Sequence, residues 1–217
     1  MSAAAAYTLV IGTKAWSSWS LRPWLLMRES GLPFEEIEIT LRQPTTPAAI
    51  ARHSPSGKVP VLTLADGFSI WDSLAIAEFL AGRHPEKKLW PDEERARAEA
   101  RSVSAEMHSG FPALRNELPM DFGARRETPA LSEAASRDIS RIRSIWTGAR
   151  AAYAGRGPFL FGPFCIADAM YAPVVSRFRS YGIALSPEEQ AYADRMWSLT
   201  GMQRWLEEST ASPGAHP

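Results

Sequence analysis

The chain changes its hydrophobic period once, near residue 84, and that change limits it to an α/β layer followed by a helical unit. Before the change, strand and helix signals alternate. Tyr7–Ile11 is β-prone and closes at Gly12. Leu21, Trp24 and Leu25 then recur at helical spacing until Gly31, with Pro33 beyond it. Ile37, Ile39 and Leu41 alternate with polar residues, which reads as a second strand. A loop rich in Pro and Thr follows (Gln43–Pro47). Val61–Leu64 and Phe68–Trp71 flank Asp66-Gly67, a hairpin signal. Leu74–Leu80 is helical and stops at Gly82. The order is β-α-β, a helical or irregular connection, then β-β-α, with strands 3 and 4 antiparallel, as in a thioredoxin-like layer.

After the change, the two prolines of His84–Asp92 mark a linker without periodicity, and everything beyond it reads as helix. Asp92 is positioned to cap a helix running to Met107. Ile139, Ile142, Trp146, Ala149 and Tyr153 step by three and four, an amphipathic stripe. Ser186-Pro187-Glu188-Glu189 places a capping Ser, a Pro at the first helical position and a Glu three residues past the cap. The expected division is an α/β thioredoxin-like domain over 1–83, a linker over 84–92 and an all-α domain over 93–217.

Lys+Arg and Asp+Glu both total 24, so no net field favours nucleic acid or an anionic membrane. No apolar run reaches the length of a membrane span. The stretch Ala3–Ala6 has no basic flank and reads as a ragged lead into the first strand rather than a signal peptide. The single cysteine, Cys165, allows no internal disulfide, which fits a reducing, cytoplasmic setting. No metal is expected.

Four local runs carry chemistry. In Trp16-Ser17-Ser18-Trp19-Ser20-Leu21-Arg22-Pro23, Pro23 is tolerated only in a first helical turn. The helix is therefore expected to start near Ser20 or Leu21, with Ser20 as its cap and Ser17 and Ser18 just ahead. Free backbone N–H groups and the positive end of the helix dipole lie there, and both stabilise a thiolate. One serine can cap while another donates to sulfur. In Ser54-Pro55-Ser56-Gly57-Lys58-Val59-Pro60-Val61, a cis Val59-Pro60 bond would turn the chain and expose the backbone of Val59 to an extended ligand. Asp72-Ser73 opens the next helix, either as a plain cap or as a site for a ligand carboxylate and ammonium. Cys165-Ile166-Ala167-Asp168 has the spacing of a capping box, a structural role for Cys165 and Asp168.

Taken in order, these runs resemble the glutathione transferase family. Ser17–Arg22 is similar to the serine motif of zeta-like and tau-like members, including bacterial ones. Lys58–Leu62 resembles the cis-proline loop, Trp71–Ile76 the acidic-Ser motif, and Cys165–Asp168 the helical-domain box usually written Ser/Thr-x-x-Asp. The resemblance covers roughly Thr8 to Glu208. It implies a glutathione transferase fold and glutathione as co-substrate. Ser17 would hydrogen-bond the sulfur, with Ser18, Lys58, Val59, Pro60, Asp72 and Ser73 around the tripeptide. Trp16, Trp19, Met107, His108, Phe111 and Arg115 would form the electrophile pocket between the domains. A homodimer and a role in detoxification are further implications. Two residues depart from the pattern. Cys165 replaces the usual Ser or Thr, and Trp19 stands where maleylacetoacetate isomerases of the zeta class usually have Cys. Tyr7 is too early to act as the tyrosine of tyrosine-type transferases, and the absence of a cysteine before residue 84 argues against thioltransferase chemistry. The functional expectation is thiolate attack on a small hydrophobic electrophile. A glutathione-dependent isomerase or dehalogenase, or a non-catalytic glutathione-binding or chaperone-like member, is the alternative.

Overall fold

The computed structural model describes residues 6–211, so the expected lead at 3–5 lies outside the described residues. Four strands form one sheet in the order β2-β1-β3-β4: β1 (Tyr7–Gly12), β2 (Glu35–Ile39), β3 (Val61–Leu64) and β4 (Ser69–Trp71). β1 runs parallel to β2, with Val10 opposite Ile37, and antiparallel to β3, with Leu9 opposite Leu62. β3 and β4 pair antiparallel across the Asp66-Gly67 turn, where Gly67 takes a positive φ of 87° and Asp66 Oδ1 accepts from the Phe68 N–H. The α1 helix (Ser18–Glu29) makes the β1-α1-β2 crossover, and α3 (Ser73–Arg83) follows β4. The Pro/Thr loop closes into a short helix, α2 (Thr46–Ala51), because Pro47 sits in its first turn without needing an N–H partner.

The rest is helical: α4 (Glu94–Ser109), α5 (Pro112–Glu117), α6 (Glu133–Tyr153), α7 (Ile166–Ser180), α8 (Pro187–Trp197) and α9 (Thr200–Ala211). Every residue of the stripe read in the sequence of α6 is buried. Leu9 and Ile11 of the sheet, Trp24 and Leu25 of α1, and Trp146, Tyr171 and Phe178 of the helices belong to one continuous core. Among the described residues no helix is long and apolar enough to cross a membrane.

Three local expectations change. α1 starts at Ser18, not at Ser20 or Leu21, so Pro23 sits inside the helix. Ser20 is not the cap. Its Oγ accepts from the Gly12 N–H, tying the helix to the end of β1, and the cap position falls to Ser17. Asp92 does not cap α4. Glu93 does, accepting from the Arg95 and Ala96 N–H groups, while Asp92 pairs with Lys88. A longer side chain reaches the second and third N–H groups from one position nearer the helix.

At α7 the capping pattern holds, and Asp168 does more than cap. Its Oδ2 accepts from the Cys165 N–H at 2.9 Å. Its Oδ1 accepts from the Leu160 N–H at 3.0 Å and the Tyr192 hydroxyl at 3.2 Å. One carboxylate thus joins the loop before α7, the helix itself and α8. Burial raises its pKa from the usual carboxylate value to about 6.

Candidate functional site

A cavity of about 480 Å³ opens beside β4 and the start of α3. It is lined by Trp19 of α1, Ser56, Lys58, Val59 and Pro60 of the loop before β3, Trp71, Asp72 and Ser73 at the β4–α3 junction, and His108 of α4. The Val59–Pro60 bond is cis, as the sequence suggested. The loop before it is shaped by Gly57, with φ of 68°, and by Ser54, whose hydroxyl donates to the Lys58 carbonyl and accepts from the Lys58 N–H.

Asp72 forms the far wall. It is a non-glycine residue at φ of 78°, a conformation costing about 1–3 kcal/mol and found where surrounding contacts over-determine it. Those contacts are visible. Its Oδ1 accepts from the Leu74 and Ala75 N–H groups at 2.9 and 3.2 Å, the orphan donors at the start of α3. Its Oδ2 lies 3.1 Å from His108 Nε2. Desolvation lowers the pKa of His108; Asp72 opposes this, and Arg22 and Arg115 add to it. Asp72 and His108 thus face each other at the cavity, bringing the start of α3 against α4.

Of the residues singled out from sequence, Trp19, Lys58, Val59, Pro60, Asp72, Ser73 and His108 meet at the cavity. Ser17 and Ser18, each 6 % exposed, are not among its lining residues. The Ser17 hydroxyl donates to Ser20 Oγ at 2.7 Å. Met107 and Phe111 are buried in the core, and neither lines the cavity. Phe111 lies past the end of α4 at φ of 62°, so its i,i+4 relation to Met107 is not a shared helix face. Trp16 carries the guanidinium of Arg42 at 4.2 Å and also lies off the cavity wall. Arg115 stacks on Trp19, 4.8 Å from the ring centre. Sequence reasoning did not single out Ser56 and Trp71 as lining residues, although both lie within runs it had marked. It also missed the Asp72–His108 pair, which no local pattern signals.

The family model for the glutathione S-transferase N-terminal domain matches residues 16–83. A rat glutathione S-transferase omega-1 is 27 % identical over 134 residues, 62 % of this chain and 54 % of that protein. A glutathione transferase homolog from Burkholderia, solved with bound glutathione, superposes with a TM-score of 0.71 at 25 % identity, covering 95 % of this chain and 99 % of that one. Residues 16–83 match the glutathione S-transferase N-terminal domain, and the chain has the glutathione S-transferase fold. A probable maleylacetoacetate isomerase of Caenorhabditis elegans is also similar, 30 % identical over 99 residues, 46 % of this chain and 45 % of that protein. The chain thus spans about half the length of these two curated relatives.

Within a glutathione S-transferase fold, the motif residues at 58–60 and 72–73 come from the thioredoxin-like part, and His108 comes from the helical part. The cavity lies where the two meet, which is why no single segment of sequence describes it.

Proposed function

We propose that the protein is a glutathione transferase: it holds glutathione in the cavity at the β4–α3 junction and presents the thiolate to a small electrophile. The observation that carries this reading is the convergence of Lys58, Val59, cis Pro60, Asp72 and Ser73 on one cavity faced by Trp19 and His108. Val59 offers its backbone to the cysteinyl unit, and the N-terminus of α3 with Ser73 takes the γ-glutamyl carboxylate. Asp72 Oδ2 takes the ammonium alongside His108, and Lys58 reaches the second carboxylate. Ser17 activates the sulfur. In the complex its hydroxyl proton turns from Ser20 to the sulfur, at the start of α1, where helix N–H groups favour negative charge. Lowering a thiol pKa of about 8.5 by two units takes about 2.7 kcal/mol, within reach of one hydroxyl donor and a helix terminus.

A glutathione-dependent isomerase is the second reading, favoured by the likeness to the nematode isomerase. It would use the same glutathione site with different chemistry over Trp19. The protein acts as a cytoplasmic homodimer in this proposal. Light scattering at micromolar concentration that gives the monomer mass would remove the dimer.

Calorimetric titration with glutathione, followed by a panel of aromatic halides and cis-enones, tests the reading. Saturable binding and catalysed thiol consumption are expected. Absence of heat at millimolar glutathione would overturn it.

A further inference from the structure

Trp19 is ringed by basic groups whose hydrogen-bonding capacity is unfilled. The Cζ atom of Arg22 lies 4.3 Å from the centre of the Trp19 ring, that of Arg115 lies 4.8 Å away, and the His108 ring stands edge-on at 5.2 Å. Arg22 is buried, yet its Nε and Nη2 have no hydrogen-bond partner. The same holds for Arg115 Nη1. Together Arg22 and Arg115 leave three buried guanidinium nitrogens without a partner at this one spot.

The charge is only partly compensated as well. Arg115 donates to the carbonyls of Gly110 and Met107, and Arg177, also buried nearby, to those of Leu118 and Pro173. Carbonyls satisfy donors without neutralising charge. Asp138 attracts Arg115 but accepts from the Leu114 N–H. Asp72 attracts Arg22, but its two oxygens already face the α3 N–H groups and His108. Arg22 Nη1 has only a 3.5 Å contact to Ser73 Oγ. A buried guanidinium without an anion is costly. Water could fill the donors but would leave the charges standing.

We infer that the Arg22–Arg115 pair at Trp19 is an anion subsite, and that the electrophile taken by this glutathione site carries a carboxylate. The inference rests on the transferase reading for the word electrophile; the subsite itself stands on the buried donors. Planar guanidinium groups match a carboxylate in geometry and charge. Trp19 lines the cavity, and Arg22 and Arg115, outside that lining, lie against its ring, so the subsite would be approached from the cavity past the indole. In the conjugation, thiolate sulfur bonds to the electrophilic carbon as chloride leaves with the bonding electrons, and the carboxylate is unchanged.

The test uses the whole protein and a matched pair, 4-chloro-3-nitrobenzoate and 4-chloro-3-nitrobenzamide, with kcat/KM divided by each compound's uncatalysed rate. The wild type is expected to favour the benzoate by about tenfold or more, the discrimination of a charge-assisted hydrogen bond. Arg115→Met should collapse that ratio, and Arg115→Lys should restore part of it. Since Arg115 also ties α4 to α5, the wild-type ratio serves as the test should the variants fail to fold. Calorimetry with 4-nitrobenzoate and 4-nitrobenzamide, with and without glutathione, measures the subsite independently of turnover. Equal binding of the two nitro compounds, or no preference in the wild-type ratio, overturns the inference. So does an Arg115→Met loss confined to glutathione affinity, which would assign the arginines to the tripeptide. Benzoate-selective binding in a protein that does not bind glutathione would support the subsite and sink the transferase reading.

Discussion

Replacing Asp168 with alanine should destabilise the protein by about 3 kcal/mol, well beyond the roughly 1 kcal/mol of an ordinary helix cap. The side chain is wholly buried and accepts three hydrogen bonds, from Leu160 N–H, Cys165 N–H and Tyr192 hydroxyl. Truncation leaves those donors in a dry interior, at about 1–3 kcal/mol each. Part of this is offset. Burial raises the carboxyl pKa from 3.8 to about 6, so keeping it ionised at pH 7 costs about 3 kcal/mol that the variant no longer bears. Urea unfolding at pH 7 gives the difference directly. A pH series adds a second check. The folded carboxyl holds a proton between about pH 4 and 6 that the unfolded chain has released, so this group's contribution falls as pH rises through that window. The wild-type minus variant difference should show that slope. Glutathione affinity of the folded variant should match wild type. A loss under about 1 kcal/mol, a flat difference, or lost affinity at intact stability would refute the reasoning.

Other expectations concern the site and the latch of the last helix. Ser17→Ala should lower kcat/KM by up to about 10²-fold and shift the pH–rate profile alkaline, with glutathione affinity changed far less; a shift in Ser18→Ala instead would move the role to Ser18. Ser17→Ala should barely change stability, because Ser20 Oγ keeps the Gly12 N–H. Burial lowers the pKa of His108, so the unfolded chain binds its proton first and the contribution of this group weakens as pH falls through about 6.5. The wild-type minus His108→Gln difference should carry that slope, and a level difference would remove it. Trp205 is fully buried, meets Trp24 at 4.9 Å and donates to the Lys14 carbonyl at 2.9 Å. Trp205→Ala should cost about 3–5 kcal/mol in denaturant unfolding, and a cost below 1 would mean that α9 is not anchored there.

The sequence by itself determined what is local. Capping residues, a turn dipeptide, a proline before a strand and the period of apolar residues act over a few positions, so their order along the chain specified the element order, the cis loop and the Asp72 and Ser186 caps. Helix starts were less legible, since the start of α1 depends on Gly12 drawing Ser20 inward, a contact across the β1–α1 turn. Tertiary structure alone decided which face of α4 meets α3. That choice puts His108 against Asp72 and sends Met107, its neighbour, into the core. It also gathers Arg22 and Arg115, from α1 and α5, around a single indole. Contacts between elements follow from how helices pack as solids, and burial then sets the charge state and the unmet hydrogen bonds of the groups they enclose.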